Sequence, residues 1–339
     1  MMKSLMFSLL LAVGAAAATA PGVKVEMLGS TAGFATSIAV DSRGAIYYTT
    51  TAGGVFRFEN GQSKQVASVT TDAVGDSGLL GMALLDDHTA VVHYTTPRQT
   101  ADVISTIDLD TGVETELHSF VADISSPGRE TPAEHHGGNP SVAADGTIFV
   151  AIGDYGGGLI ASLPEWNGGK VWRVFPDGHA EQFARGLRNP FDLSYDVVRQ
   201  RLFLPDNGAA VDDELNVITT GANCGWPFTA GKGPSVDGAT APVYVFPRII
   251  APTGLVALSG RNPMLRSGYL IGSFVAKAIY WIPDVDVTPL PDPIPVVERE
   301  TGFIIDVTER ADGEIFFVTG NAVYHLTVPT PRMRPLRRR

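Results

Sequence analysis

Six times along the chain a short polar turn gives way to a run of β-branched and aromatic residues. The clearest copies are Asp41-Ser42-Arg43-Gly44-Ala45-Ile46-Tyr47-Tyr48, Asp145-Gly146-Thr147-Ile148-Phe149-Val150 and Asp312-Gly313-Glu314-Ile315-Phe316-Phe317. Weaker copies are Asp86-Asp87-His88-Thr89-Ala90-Val91-Val92, Arg199-Gln200-Arg201-Leu202-Phe203-Leu204 and Arg266-Ser267-Gly268-Tyr269-Leu270-Ile271. Aspartate shortly before glycine, followed by an alternating strand, is hairpin chemistry, because glycine supplies the positive φ of the turn. Glycine and proline interrupt nearly every window long enough to display a helical period. The copies recur at a spacing of about 45 to 65 residues, which is the repeat of a four-stranded propeller blade. The pattern predicts an all-β chain folded as one six-bladed β-propeller of antiparallel blades, without an internal boundary, over residues 22–328. A β-sandwich is the competing architecture, and it has no need of six similar phrases spread from end to end.

Composition agrees with one large core. The chain has 339 residues, 44% of them hydrophobic, with 37 glycines and 23 prolines. Its net charge of −11 repels nucleic acid and anionic lipid, so neither is an expected partner. Residues 1–20 read as a signal peptide: Lys3, an apolar stretch from Leu5 to Val13 too short to span a bilayer, then the small residues Ala15 to Ala20. Cleavage is expected near Ala18, leaving a periplasmic or secreted protein, and no later run has the length and purity of a membrane span. The tail 329–339 carries five arginines and reads as a solvated, disordered end. The single cysteine, Cys224, excludes an internal disulfide. No histidine or cation adjoins it to lower its pKa, so it reads as packing rather than as a catalyst.

Five stretches go beyond generic propeller sequence. They are Gly75-Asp76-Ser77-Gly78-Leu79-Leu80-Gly81-Met82-Ala83; His135-His136-Gly137-Gly138 with Ile152-Gly153-Asp154; Gly169-Lys170-Val171-Trp172-Arg173; Gly186-Leu187-Arg188-Asn189-Pro190; and Asp206-Asn207-Gly208-Ala209 with Asp212-Asp213-Glu214-Leu215-Asn216, ending in Gly225-Trp226-Pro227. In this order and rough spacing, over about Gly75 to Pro252, the set resembles the glucose/sorbosone dehydrogenase family. Asp306-Val307 with Asp312-Gly313 adds a weaker match in the last blade. The resemblance implies a soluble oxidoreductase that uses pyrroloquinoline quinone (PQQ) and calcium to oxidise an aldose-type sugar by hydride transfer to the quinone.

Residue by residue, the resemblance makes His135 the general base, a role that suits an imidazole near neutral pH. Taken alone, His135 would read as a turn or core histidine. Adjacent His136 points the other way if the segment is extended. Asp154 matches the carboxylate that supports the base, although it could equally cap the Gly156-Gly157-Gly158 turn. Arg188 and Asn189 match cofactor-facing residues, and Asp76 stands where the family often has Gln or Glu near the active centre. Gly208 and Ala209 occupy the place of a Gly-Pro carbonyl pair on the cofactor-side calcium. Glu214 and the Cys224 carbonyl resemble parts of a second, structural calcium site. Read alone, Asp212-Asp213-Glu214 is a solvated acidic loop.

Three cations of the family pattern are replaced. A lysine expected in Gly272-Ser273-Phe274-Val275 falls at Val275, and two arginines before Asp306 fall at Phe303 and Ile305. All three would hold cofactor carboxylates. Lys277 and Arg248 lie near enough in sequence to substitute. Two rival readings therefore stand beside the dehydrogenase: a propeller without quinone that binds carbohydrate or protein, and a calcium-dependent lactonase or hydrolase.

Overall fold

The computed structural model describes residues 22–122, 134–196, 200–231, 233, 236–298 and 302–328. The expected signal peptide and the basic tail lie outside the described residues, as does Arg199 of the fourth phrase.

Among the described residues, 24 strands form six four-stranded antiparallel sheets. The first blade is Ala35–Val40, Ile46–Thr50, Gly54–Glu59 and Gln62–Ser68, in that spatial order. The next four open with innermost strands Leu79–Leu84, Ser141–Val142, Ser194–Asp196 and Pro252–Ala257. The sixth combines Ile304–Glu309, Ile315–Thr319 and Ala322–Thr327 with the first strand of the described chain, Lys24–Ser30. Lys24–Ser30 pairs antiparallel with Ala322–Thr327, so the two ends of the propeller close one blade together. All six polar phrases fall at one structural position, the turn between the first and second strand of a blade. Their aspartates act as acceptors there: Asp41 takes the N–H groups of Arg43 and Ala45, Asp86 those of His88 and Thr89.

The second strands depart from simple alternation. Ile46–Thr50, Ile148–Ile152, Tyr269–Ser273 and Ile315–Thr319 are buried at every position. A blade is sandwiched between two neighbours, so its middle strands have no solvent face, and both sides of the pleat must be apolar or hydrogen-bonded. Only an outer strand such as Lys24–Ser30 stays largely exposed.

A ring of small and polar residues links the innermost strands. Asp306 of the sixth blade accepts from Ser37 Oγ at 3.0 Å and Ile38 N at 2.8 Å in the first blade. Asp192, before the fourth blade, accepts from Asn139 Nδ2 at 3.0 Å and Leu255 N at 2.7 Å in the fifth. Gly254 makes room for this: a Cβ there would stand 2.2 Å from Asp306 Oδ1. Burial raises both Asp192 and Asp306 above the usual carboxylate range, and the charge of Asp306 raises Asp192 further.

Because strands alternate in direction, the loops after second strands and those between blades all emerge at the end opposite the six phrases. Every candidate site loop is among them except the segment carrying Cys224, which follows the third strand of the fourth blade.

Candidate active site

The connection into the third blade carries His135 and His136. His135 adopts φ 56° and Gly137 φ 87°, a tight left-handed path that packs the backbone against its neighbours. A Cβ on Gly138 would lie 1.8 Å from the Phe191 carbonyl oxygen, so the glycine permits contact between two interblade loops. The path turns the His135 ring toward Asp154, which ends the buried strand Ile148–Ile152 two residues earlier, and Nδ1 stands 2.6 Å from Asp154 Oδ1.

Asp154 is surrounded by donors. Its Oδ1 also accepts from Gly156 N at 2.9 Å, and its Oδ2 from Gly158 N at 3.1 Å and Trp226 Nε1 at 2.6 Å. The two readings of Asp154 thus coincide, since one carboxylate caps the glycine turn and holds the histidine. Three fixed N–H donors leave it an acceptor toward His135, so the imidazole proton sits on Nδ1 and Nε2 keeps its lone pair. The His135 side chain is 12% exposed and Asp154 only 2%, which leaves the imidazole open to a ligand and its carboxylate partner shielded. Such an arrangement can serve general-base chemistry.

His136 faces inward. Its Nδ1 lies 3.1 Å from Asp102 Oδ1, and Tyr155 donates its hydroxyl to Asp102 Oδ2 at 2.5 Å. Asp102 is fully buried and held below its ordinary range by His136 and His93, against the cost of burial. Residues next to His135 and to Asp154 therefore meet on one buried carboxylate.

Arg188 and Asn189 open the loop before the fourth blade, and their N–H groups donate to Asp206 at 2.8 and 2.7 Å. The Arg188 guanidinium turns to the backbone, donating to the Asn207 and Gly208 carbonyls at 3.0 Å each. It also sits 5.8 Å from the Trp226 ring. Asp213 anchors the same loop, accepting from Gly208 N at 2.9 Å and from Ile250 N and Ala251 N at 2.7 and 2.8 Å. Ala209 is exposed.

Glu214 lies opposite Asp206 in the strand register. Burial and Glu214 push Asp206 up to about 8, and burial raises Glu214 as well. The Cys224 thiol is raised by burial and by the same two carboxyls. Glu214 and Cys224 thus share a buried neighbourhood with Asp206, while Gly208 and Ala209 stand on the adjoining loop. Asn216 donates to Glu214 Oε1 at 3.3 Å, and its own buried Oδ1 has no partner. Two buried carboxyls at odds with each other beside an orphaned oxygen are a hard-oxygen set that fits calcium. No three His, Cys, Asp or Glu side chains converge as a metal group among the described residues, so carbonyls or water would complete the shell.

A cavity of about 380 Å³ opens at the centre of this face, walled by Phe34, Leu80, Phe191, Phe274 and Ile305 on its apolar side. Asp76, Ser77, Asn189, Asn207 and Thr253 line the rest. Asp76 bridges cavity and base, since its Oδ2 accepts His135 N at 3.4 Å. Of the three replaced cation positions, Val275 is 53% exposed and Ile305 only 3%, and Phe303 stacks on Phe274 with centroids 4.2 Å apart. Neither Lys277 nor Arg248 lines the cavity. Its lining holds one ionisable side chain, the acidic Asp76, so these residues do not fit the three carboxylates of PQQ.

Two contributors were not assigned from the sequence. Trp226 belongs to the Gly225-Trp226-Pro227 phrase, yet nothing local indicates that its indole reaches Asp154. Asp102 sits in a strand with no motif.

The glucose/sorbosone dehydrogenase model matches residues 34–327. The quinoprotein glucose dehydrogenase B of Acinetobacter calcoaceticus is 27% identical over 208 residues, 49% of this chain and 43% of that protein. An aldose sugar dehydrogenase of Escherichia coli K12 is 23% identical over 245 residues, 63% of this chain and 66% of its own. The chain thus spans 43% to 66% of the length of these curated relatives. The PQQ-bound aldose sugar dehydrogenase of Streptomyces coelicolor superposes with TM-score 0.76 at 20% identity, covering 91% of this chain and 100% of that one, which is likeness of fold. With six blades, an ordered motif set and a family match over nearly the whole propeller, this chain belongs to the glucose/sorbosone dehydrogenase family.

Proposed function

We propose that this protein is an exported oxidoreductase that oxidises an aldose-type sugar, with His135 as general base. The observation that carries the reading is the His135–Asp154 pair, oriented by Gly156, Gly158 and Trp226 at the edge of the central cavity. His135 Nε2 takes the proton of the anomeric hydroxyl. As the carbonyl forms, the hydrogen on the same carbon would leave with its electron pair, and a two-electron acceptor of the quinone class, when bound, would supply its destination. Asp154 keeps the ring in the tautomer that accepts, and it stabilises the imidazolium that results. Asn189 and Asp76 line the cavity where sugar or acceptor would be held.

The test is reduction of an artificial dye by a panel of aldoses, with a quinone and calcium present. Sugar-dependent reduction is expected, with a lactone as product. Sugar binding without reduction would replace the reading with a carbohydrate-binding propeller, and hydrolysis of a sugar lactone without any acceptor would replace it with a lactonase.

Calcium at Asp206 and Glu214, completed by carbonyls such as that of Cys224, would neutralise two carboxyls that burial sets against each other. Binding to the folded state alone raises its stability, by about 2.7 kcal/mol when the free ion is 100-fold above Kd. Chelation with EDTA is expected to lower the melting temperature by several degrees and calcium to restore it. An unchanged melting curve together with no calcium by elemental analysis would remove the ion from the proposal.

A further inference from the structure

We propose that the central cavity binds an uncharged planar quinone ring, and discriminates against a polycarboxylated one. The redox role of that ring rests on the dehydrogenase reading above. The binding preference rests on the cavity alone.

Three loops each contribute a phenyl group to the wall: Phe34 ahead of the first blade, Phe191 ahead of the fourth, and Phe274 within the fifth. Ile305, 3% exposed, adds an aliphatic surface. Such walls favour a flat apolar ring by burial and by offset or edge contact between aromatic faces. The Phe274 ring is itself fixed, because Phe303 lies parallel to it within 5° at 4.2 Å. Lys277 places its ammonium 4.8 Å from the Phe303 centroid. Lys277 is not among the residues that line the cavity.

The polar lining points the same way. Asn207 donates its amide to the Asn189 and Pro252 carbonyls, Thr253 its hydroxyl to Ile304 O, and Ser77 its hydroxyl to Asp72 O and Val74 O. The Asn189 side-chain amide has no such bond among the described residues, and it is a donor suited to one quinone carbonyl. Arg188 does not line the cavity, and its Nη1 turns to two backbone carbonyls, while the one ionisable lining residue, Asp76, would repel an anion. A neutral ring satisfies this lining, whereas each carboxylate would enter desolvated and without a cation. The volume of about 380 Å³ lies in the range of small-molecule sites.

The experiment is isothermal titration of the calcium-loaded full chain with two probes, PQQ and tetramethyl-1,4-benzoquinone, whose ring positions are blocked to thiol addition. Saturable binding of the neutral quinone is expected, at least about tenfold tighter than PQQ. Phe274→Leu, which keeps bulk and removes the ring, is expected to weaken the neutral quinone about tenfold. Ile305→Arg is expected to reverse the order of the two probes, and melting curves of both variants verify folding. PQQ binding tighter than the neutral quinone in the unmodified chain would overturn the inference. An absence of heat with the neutral quinone, or a Phe274→Leu variant that binds it unchanged, would do the same. The readout needs no sugar and no turnover. If the neutral quinone binds but no aldose is oxidised with it, the dehydrogenase reading fails and the cavity preference stands.

Discussion

Replacing His135 with alanine is expected to slow sugar oxidation by about 10²–10⁴-fold, the usual cost of losing a general base, while the melting temperature barely moves. The imidazole sits at the rim, bonded through Nδ1 to Asp154 and, through its backbone only, to Asp76. Its removal leaves Asp154 with three donors still in place, so no buried charge is orphaned. His136→Ala is the internal control and should show the opposite profile. That ring is buried against Asp102 and Tyr155, so its loss takes a hydrogen-bond partner from a fully buried carboxylate and should lower stability more than rate. Steady-state kinetics and melting curves on both variants decide the matter. Equal rate losses from the two substitutions would transfer the base role away from His135.

The second large effect concerns pH. Asp192 and Asp306 are buried near each other in the ring between innermost strands, and both are held above the usual carboxylate range by burial, Asp192 also by the charge of Asp306. An unfolded aspartate gives up its proton near pH 4. Above that, the folded chain retains protons that the unfolded chain has lost. Stability from these groups is therefore fully present below about pH 4 and declines as pH rises through the folded values. Each carboxyl contributes up to about 1.4 kcal/mol per pH unit across that window, so a fall of several degrees in melting temperature is expected between pH 5 and pH 8.

Asp306→Asn should remove more than half of this pair's share of the slope, since Asp192 also loses its like-charged neighbour, while the raised Asp206 and Glu214 keep the remainder. A fixed cost is expected at every pH, because Asp306 accepts through both oxygens, from Ser37 and Ile38 on one and Val307 on the other, and an amide offers one oxygen. A melting temperature that climbs from pH 5 to pH 8, or a slope untouched by Asp306→Asn, would contradict this account.

Much of the fold was legible in the chain because blade chemistry is local. An aspartate that accepts from the N–H groups two to four residues on, a glycine with positive φ and a β-branched run need no distant partner. All six phrases consequently mark the same hairpin. Local rules misjudged burial: alternation suggests strands with one wet face, but the second strands are buried on both because blades stack. The pairing of His135 with Asp154 was suggested by motif order, whereas His136 turns away from it through a left-handed path rather than through the extended one assumed from sequence. The loss of the three cations was equally plain at Val275, Phe303 and Ile305.

What replaced those cations was decided only when the ring closed. Lys277 looked available in sequence, but its ammonium lies against Phe303 in the Phe274–Phe303 stack that joins loops from the fifth and sixth blades, and it does not line the cavity. Trp226 reaches Asp154 across 72 positions, carried by a long segment that leaves the opposite end of the fourth blade and runs back beside Arg185 and Gly186. Asp192 and Asp306 stand far apart in the chain and become one electrostatic unit in the ring. Sequence by itself determined blades and turns, since these depend on backbone preference and side-chain chemistry over a few residues. Tertiary structure alone decided which distant groups share a dry space, and in such a space the presence or absence of one charge governs what a cavity can hold.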